Sequence, residues 1–197
     1  MGLTERMARD LETSRAFRDA VCDVLDTALA LVAEKYDVDV PFTPGRQYSR
    51  KDPTRLLAWG KNVDSIVYGH KVHRDTRTCP IFVTMHKSEG VSASTACSHG
   101  LVDIPSMRWF SKNRRTLASD EVRAIVNNEV AIHVFAQKDD ADKNNFYDLG
   151  RATAEDAIQD TMPDKEGKPL NVVRMTLRFE APIDSAVYDY FHPVVTL

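Results

Sequence analysis

The sequence predicts an α+β fold: a small, mostly antiparallel β-barrel with short helices, preceded by an N-terminal helical element. Three observations predict it. Apolar residues alternate in short runs such as Ala131-Ile132-His133-Val134-Phe135-Ala136 and Asn171–Phe179, as half-buried strands do. These runs are joined by polar turns without the βαβ rhythm of a parallel sheet. Residues 3–36 instead repeat apolar side chains at spacings of three and four, the pattern of an amphipathic helix.

The 197 residues are enough for one domain with a full core plus an accessory element. Hydrophobic content of 43% and charge of 28% are ordinary for a soluble globular protein. No apolar run is long enough to span a membrane, and the first residues do not read as a secretory signal. Cys22, Cys79 and Cys97 are odd in number and form no CxxC pair, so neither a zinc site nor a disulfide frame is expected. A cytoplasmic protein with reduced thiols fits best. Net charge of −3 hides an asymmetry. From Arg46 to Arg115 there are 13 Lys and Arg against 5 Asp and Glu, and elsewhere 13 against 24. A basic middle in an acidic chain suits a phosphate-bearing partner.

Taken in order, residues 1–40 read as a helical element that could pair with a second copy. Ser14 or Thr13 separates a short first helix from a longer second one, carrying Phe17, Val21, Val24, Leu25, Leu31 and Val32. Pro41 and Pro44 mark a turn into a main domain of residues 41–197. Asp52 is expected to cap a short helix from Pro53 to Trp59 that stops at Gly60. Ile66-Val67-Tyr68 is expected to pair with a strand from Cys79 to His86 through the basic turn 71–77. The central strand presents Ile81, Val83 and Met85 to one side and Phe82, Thr84 and His86 to the other, ending in Lys87. Arg108–Phe110 reads as a short strand and Ser119–Val126 as a short helix with acids in its first turn. Residues 131–136 pair with Phe146–Gly150, residues 160–169 form a polar loop, 171–179 a long strand, and Val187–Phe191 a closing apolar segment.

Catalytic patterns are faint. There is no HExxH, Gly-x-Ser-x-Gly or Gly-rich phosphate loop. His70 and His73, Cys97 with His99, and Lys138 with Asp139 and Asp140 lack the spacing of a metal, nucleophile or nuclease site. No metal, cofactor or enzymatic activity is expected. Binding is better supported. Lys112, Arg114 and Arg115 follow Trp109 and Phe110, and Arg50 and Lys51 follow Tyr48, placing cations for phosphate beside rings for bases.

Tyr48–Asp52, Leu56–Trp59, Cys79–Lys87, Arg108–Ser111, Arg114–Leu117, Lys138–Asp140 and Phe146–Gly150 form an ordered series. Together they resemble a bacterial family: the C-terminal domain found behind a phospholipase-D-like nuclease and a DEAD-box helicase in modification-dependent restriction enzymes. That domain is similar to the SRA/PUA-like barrels, which read modified cytosine by flipping it. The resemblance runs from Gly45 to Phe191 and implies a stand-alone reader of 5-methylcytosine in duplex DNA, bound to the nucleoid, that does not cut. It departs in the loop after the central strand, here Thr95-Ala96-Cys97-Ser98-His99-Gly100.

On this reading Tyr48 and Trp109 stack on the base, with Tyr147 a further aromatic candidate. Thr84, His86 and Asp52 meet its polar edge, where Asp148 is a second acid. Arg50, Lys51, Lys87, Lys112, Arg114, Arg115 and Lys138 hold the DNA backbone. Two other readings stay open: an RNA or modified-RNA binder, and a non-catalytic assembly module for a separate nuclease or helicase.

Overall fold

A computed structural model describes residues 3–37, 39–60, 67–85, 100–139, 144–164 and 166–192. His86, Lys87, Cys97, His99 and Asp140 lie outside the described residues, as does most of the loop after the central strand. The chain divides into two compact units, Met1–Pro41 and Phe42–Leu197.

The first unit is a helix pair, α1 (Glu5–Thr13) and α2 (Arg15–Lys35). Thr4 opens α1, its hydroxyl accepting from the Met7 amide. Ser14 then adopts an extended backbone (φ −111°), which ends α1, and its hydroxyl accepts from the Phe17 amide to begin α2. The Arg18 guanidinium donates to the carbonyls of Leu11 and Glu12 at 2.7 and 2.9 Å, satisfying acceptors at the C-terminus of α1. Within this unit no residue of either helix is buried.

The second unit contains β1 (Gln47–Tyr48), α3 (Lys51–Leu56), β2 (Thr78–Thr84), β3 (Gly100–Asp103), β4 (Ser106–Phe110) and α4 (Asp120–Val126). It continues with β5 (Ala131–Gln137), β6 (Phe146–Pro163), β7 (Pro169–Phe179) and α5 (Ser185–Phe191). The strands form one sheet in the order β2-β5-β6-β7-β4-β3, with β1 on the start of β6. The predicted α+β class and the mainly antiparallel pairing are present, but the predicted barrel is not. Among the described residues β2 and β3 do not pair, so the sheet is open. The outer edge of β2 is taken instead by the segment before it. His70 bridges to Ile81, His73 to Thr78, and the Phe82 amide donates to the Gly69 carbonyl. An edge covered in this way has no free ladder for a closing strand.

The β2–β5 pair is parallel, in register from Thr78↔Ala131 to Thr84↔Gln137. Every residue of β2 is buried, as expected of a parallel strand covered on both faces. Other corrections are local. Helix α3 starts two residues early, and the chain turns out of it through Ala58 (φ 55°) and Gly60 (φ 87°). Strand β6 runs to Pro163, because β7 pairs with it as far as Pro163↔Pro169, inside the stretch expected as a polar loop. The closing segment is the helix α5, capped by Asp184, whose carboxylate accepts from the Ala186 and Val187 amides.

The core lies on one face of the sheet. Ile81, Val83, Ile132, Val134, Leu149, Val173, Met175 and Leu177 meet Val122 and Ile125 of α4 and Phe191 of α5 there. The other face carries a separate aromatic group around Phe82, Phe135 and Phe146. Phe82 stacks on Phe135 at 5.2 Å, and Phe146 meets Phe82 edge-on at 5.1 Å.

Candidate nucleic-acid interface

Because β2 and β5 are parallel, their C-terminal ends emerge together. Their last residues, Thr84 and Gln137, sit side by side, and the Gln137 side-chain amide donates to the Thr84 hydroxyl at 3.0 Å. The Met85 amide donates to the Gln137 carbonyl, which ties the two strand ends. Thr84 and Gln137 follow Phe82 and Phe135 on the same face by the two-residue period. Arg50, just before α3, lies over two of these rings, 5.1 Å from the Phe146 centroid and 5.9 Å from that of Phe82. The Gln137 amide oxygen is buried and has no hydrogen-bond partner among the described residues.

Tyr48 adjoins this group but is only 1% exposed. Its hydroxyl accepts from the Thr43 amide, and its ring meets Phe42 and Phe135 edge-on. Asp52 is buried too; its carboxylate accepts from the Ser49 amide at 2.7 Å. It therefore shapes the turn before α3 from within the helix rather than capping it from outside. Lys51 is exposed at the start of α3.

The opposite face of the same strand ends carries a second group. Tyr147 alternates with Phe146 along β6 and packs against the core side. Its ring lies 5.1 Å from Tyr190 of α5, and the Lys138 ammonium sits 5.0 Å from the Tyr190 centroid. All three side chains are half-buried.

Trp109 does not join either group. It is 2% exposed, within the core, with His70 edge-on at 4.9 Å. As folded, neither Trp109 nor Tyr48 presents a ring face to a base. The cations beside Trp109 are also engaged inside the fold. The Lys112 ammonium donates to the His70 carbonyl, and Arg115 pairs with Glu121 at 3.5 Å. His70 Nε2 lies 2.9 Å from the same Glu121 oxygen. Burial holds the His70 imidazole below its usual pKa and hence neutral. The Glu121 carboxyl is held down at about 2 by His70, against the opposing effect of its own burial. Arg114 is exposed, at a left-handed backbone angle (φ 62°).

The structure thus gathers Arg50, Thr84 and Tyr48 about one aromatic group, with Asp52 buried at the start of α3, and Tyr147 and Lys138 about Tyr190. It separates both from Trp109, Lys112 and Arg115. Phe146, Gln137 and Tyr190 complete the strand-end groups, and none of the three is among the expected site residues. For Gln137 the signal existed: like Thr84, it is a polar residue ending an apolar run.

Among the described residues, no cluster of three or more His, Cys, Asp or Glu could hold a metal ion, and no helix is long and apolar enough to cross a membrane.

A protein-family model described as a domain of unknown function, DUF3427, matches residues 42–191. No curated protein matches the chain. Among solved structures, SUVH6 of Arabidopsis thaliana in complex with SAM is similar at 12% identity and a TM-score of 0.47, over 79% of this chain and 30% of that one. The sulfur-binding and SRA domains of ScoMcrA with phosphorothioated DNA are similar at 9% identity and a TM-score of 0.44, over 77% and 45%. KRYPTONITE in complex with mCHG DNA and SAH is similar at 8% identity and a TM-score of 0.43, over 73% and 33%. The chain spans less than half the length of each of these three.

Proposed function

The chain belongs to the DUF3427 family, and we propose that it binds duplex DNA carrying a modified cytosine, most simply 5-methylcytosine, and does not cut it. The observation that carries this reading is the convergence at the paired ends of β2 and β5. A hydroxyl, a buried amide with a spare acceptor, and a guanidinium over aromatic rings meet there. A base turned out of the duplex needs a flat apolar surface and a polar group at its Watson–Crick edge, which this arrangement supplies. Arg50, half-buried over the Phe82 and Phe146 rings, offers its flat guanidinium face to the base, and Thr84 and Gln137 the edge. Tyr147, Tyr190 and Lys138 across the strand ends take the adjoining nucleotide and its phosphate. The ordered sequence motifs that resemble modified-cytosine readers support the same reading.

Binding should be compared by filter retention for duplexes with cytosine, 5-methylcytosine, 5-hydroxymethylcytosine or N6-methyladenine at one position, and for single-stranded RNA. The expected result is tightest binding to the 5-methylcytosine duplex. The margin should be modest, because one methyl group contributes only about 1 kcal/mol of burial. Equal binding to methylated and unmethylated duplex would overturn the reading, and tighter binding to RNA would replace it with RNA recognition.

The helical unit supports a second copy as its partner. Phe17, Val21, Val24, Ala28 and Leu31 repeat at alternating spacings of four and three, the seam of a helical bundle. The unit by itself leaves Val24, Leu25, Leu29 and Leu31 more than half exposed. We therefore propose a homo-oligomer through residues 3–36.

A further inference from the structure

The geometry points to Gln137 as the residue that selects a base bearing an exocyclic amine over one bearing a carbonyl at the same position. The inference rests on the proposed binding of modified cytosine and names how its edge is read. Gln137 is 3% exposed and Thr84 8%. One N–H of the amide donates to the Thr84 hydroxyl, which sets the direction in which the amide oxygen points. The amide oxygen is buried and unpartnered among the described residues. A buried acceptor left unpaired is destabilising, and a ligand that brings an N–H donor recovers that loss on binding. The strand pairing fixes the backbone of both residues, because Thr84 and Gln137 are register partners and the Met85 amide holds the Gln137 carbonyl. The amide is therefore held in place before any ligand arrives. Cytosine and its 5-methyl derivative carry an amine at C4 that can donate to this oxygen. Thymine has the same 5-methyl group but a carbonyl at C4. It would set oxygen against oxygen and leave both unpaired, the situation in which a site discriminates most strongly.

The test uses the full chain and three duplexes that differ at one position opposite guanine: cytosine, 5-methylcytosine or thymine. The thymine duplex shares the methyl group, and its mismatch makes the base easier to turn out. Shape and flipping cost alone would therefore favour thymine. The wild-type protein is expected to bind the 5-methylcytosine duplex about tenfold more tightly than the thymine one, the effect of one hydrogen bond. Gln137→Met keeps the shape, removes the acceptor, and should bring the two within about threefold. Gln137→Glu keeps an acceptor and should preserve the discrimination. Should Gln137→Met fail to fold, Thr84→Val tests the same point, because freeing the amide lets it turn either edge to the base and erodes the preference. Wild-type protein that binds thymine as well as 5-methylcytosine overturns the role of Gln137, as does an undiminished preference in a folded Gln137→Met or Thr84→Val variant. Failure to separate 5-methylcytosine from cytosine overturns the modified-cytosine reading itself, and the thymine comparison still decides the role of Gln137.

Discussion

Asp148 shows what burial does to one side chain. It is 1% exposed, beside Phe135 in the β5–β6 register, and its carboxylate accepts a single hydrogen bond of 3.0 Å from the Gly150 amide. Desolvation pushes its pKa from 3.8 up to about 6, against the smaller opposing effect of that hydrogen bond. The folded protein therefore holds this proton more tightly than the unfolded chain does. Asp148 is not destabilising below about pH 4, becomes so as pH rises toward 6, and above that costs roughly 3 kcal/mol. Asp148→Asn keeps an acceptor for Gly150 without the charge. It should raise the melting temperature at pH 7.5 and leave it nearly unchanged at pH 4; an equal shift at both would contradict this account. His133 works in the opposite sense. Burial, helped by Arg151, lowers its pKa to about 4, so its contribution is full above 6.5 and is lost as pH falls toward 4. Glu121→Ala should destabilise by about 1–3 kcal/mol, since it strips a partner from buried His70 and from Arg115 together. Urea unfolding measures it, and a change under 0.5 kcal/mol would show that the cluster contributes little.

The irregularity in β6 is the element on which the strand-end site depends. Val134 pairs with Gly150 and Phe135 with Asp148, so Leu149 is an extra residue opposite a single step of β5. Such a bulge resets which side chains face which side. Leu149 enters the core, while Asp148 stays beside Phe135. The bulge requires Gly150 at φ 99°, a conformation that other residues adopt only under strain. Gly150→Ala should cost about 1–3 kcal/mol in urea unfolding although its Cβ would meet nothing closer than Pro44 at 4.0 Å. A neutral result would mean that the strand can shed the bulge. The apolar seam of α2 makes a prediction at the same scale. Val24→Glu combined with Leu31→Glu should reduce the mass seen by light scattering to that of one chain. An unchanged mass, or a wild-type protein that is already monomeric, would rule out association through α2.

Across the whole molecule, the basic excess between Arg46 and Arg115 divides into cations that serve the fold and cations that face outward. Lys112 and Arg115 bind groups within the protein, whereas Arg114 and Lys51 are exposed. Phosphate contacts release counterions, so each one lost lowers the slope of log affinity against log salt by about one unit. Arg114→Ala should reduce that slope and weaken all duplexes alike. Arg115→Ala should instead lower stability through Glu121. Identical salt dependence for Arg114→Ala and the wild type would remove Arg114 from the interface.

Periodicity and capping residues were enough to reveal the helix pair broken at Ser14, the helix after Ser119, and the strands at 131–136 and 171–179. Local spacing sets these features, and each is read within a dozen residues. Polar residues closing apolar runs also marked Thr84 as a candidate contact. What the sequence could not supply was pairing between distant segments. The parallel match of β2 with β5 sets Gln137 against Thr84, and the segment at Gly69 and His70 blocks the edge at which a barrel would close. Aromatic residues beside cations look the same in sequence whether they face solvent or the core. Only packing put Trp109 against His70, tied Lys112 to the His70 carbonyl and Arg115 to Glu121, and left Arg50 over Phe146. Such choices follow from burying apolar area while giving buried polar groups partners, and that balance is struck over the whole fold rather than along the chain.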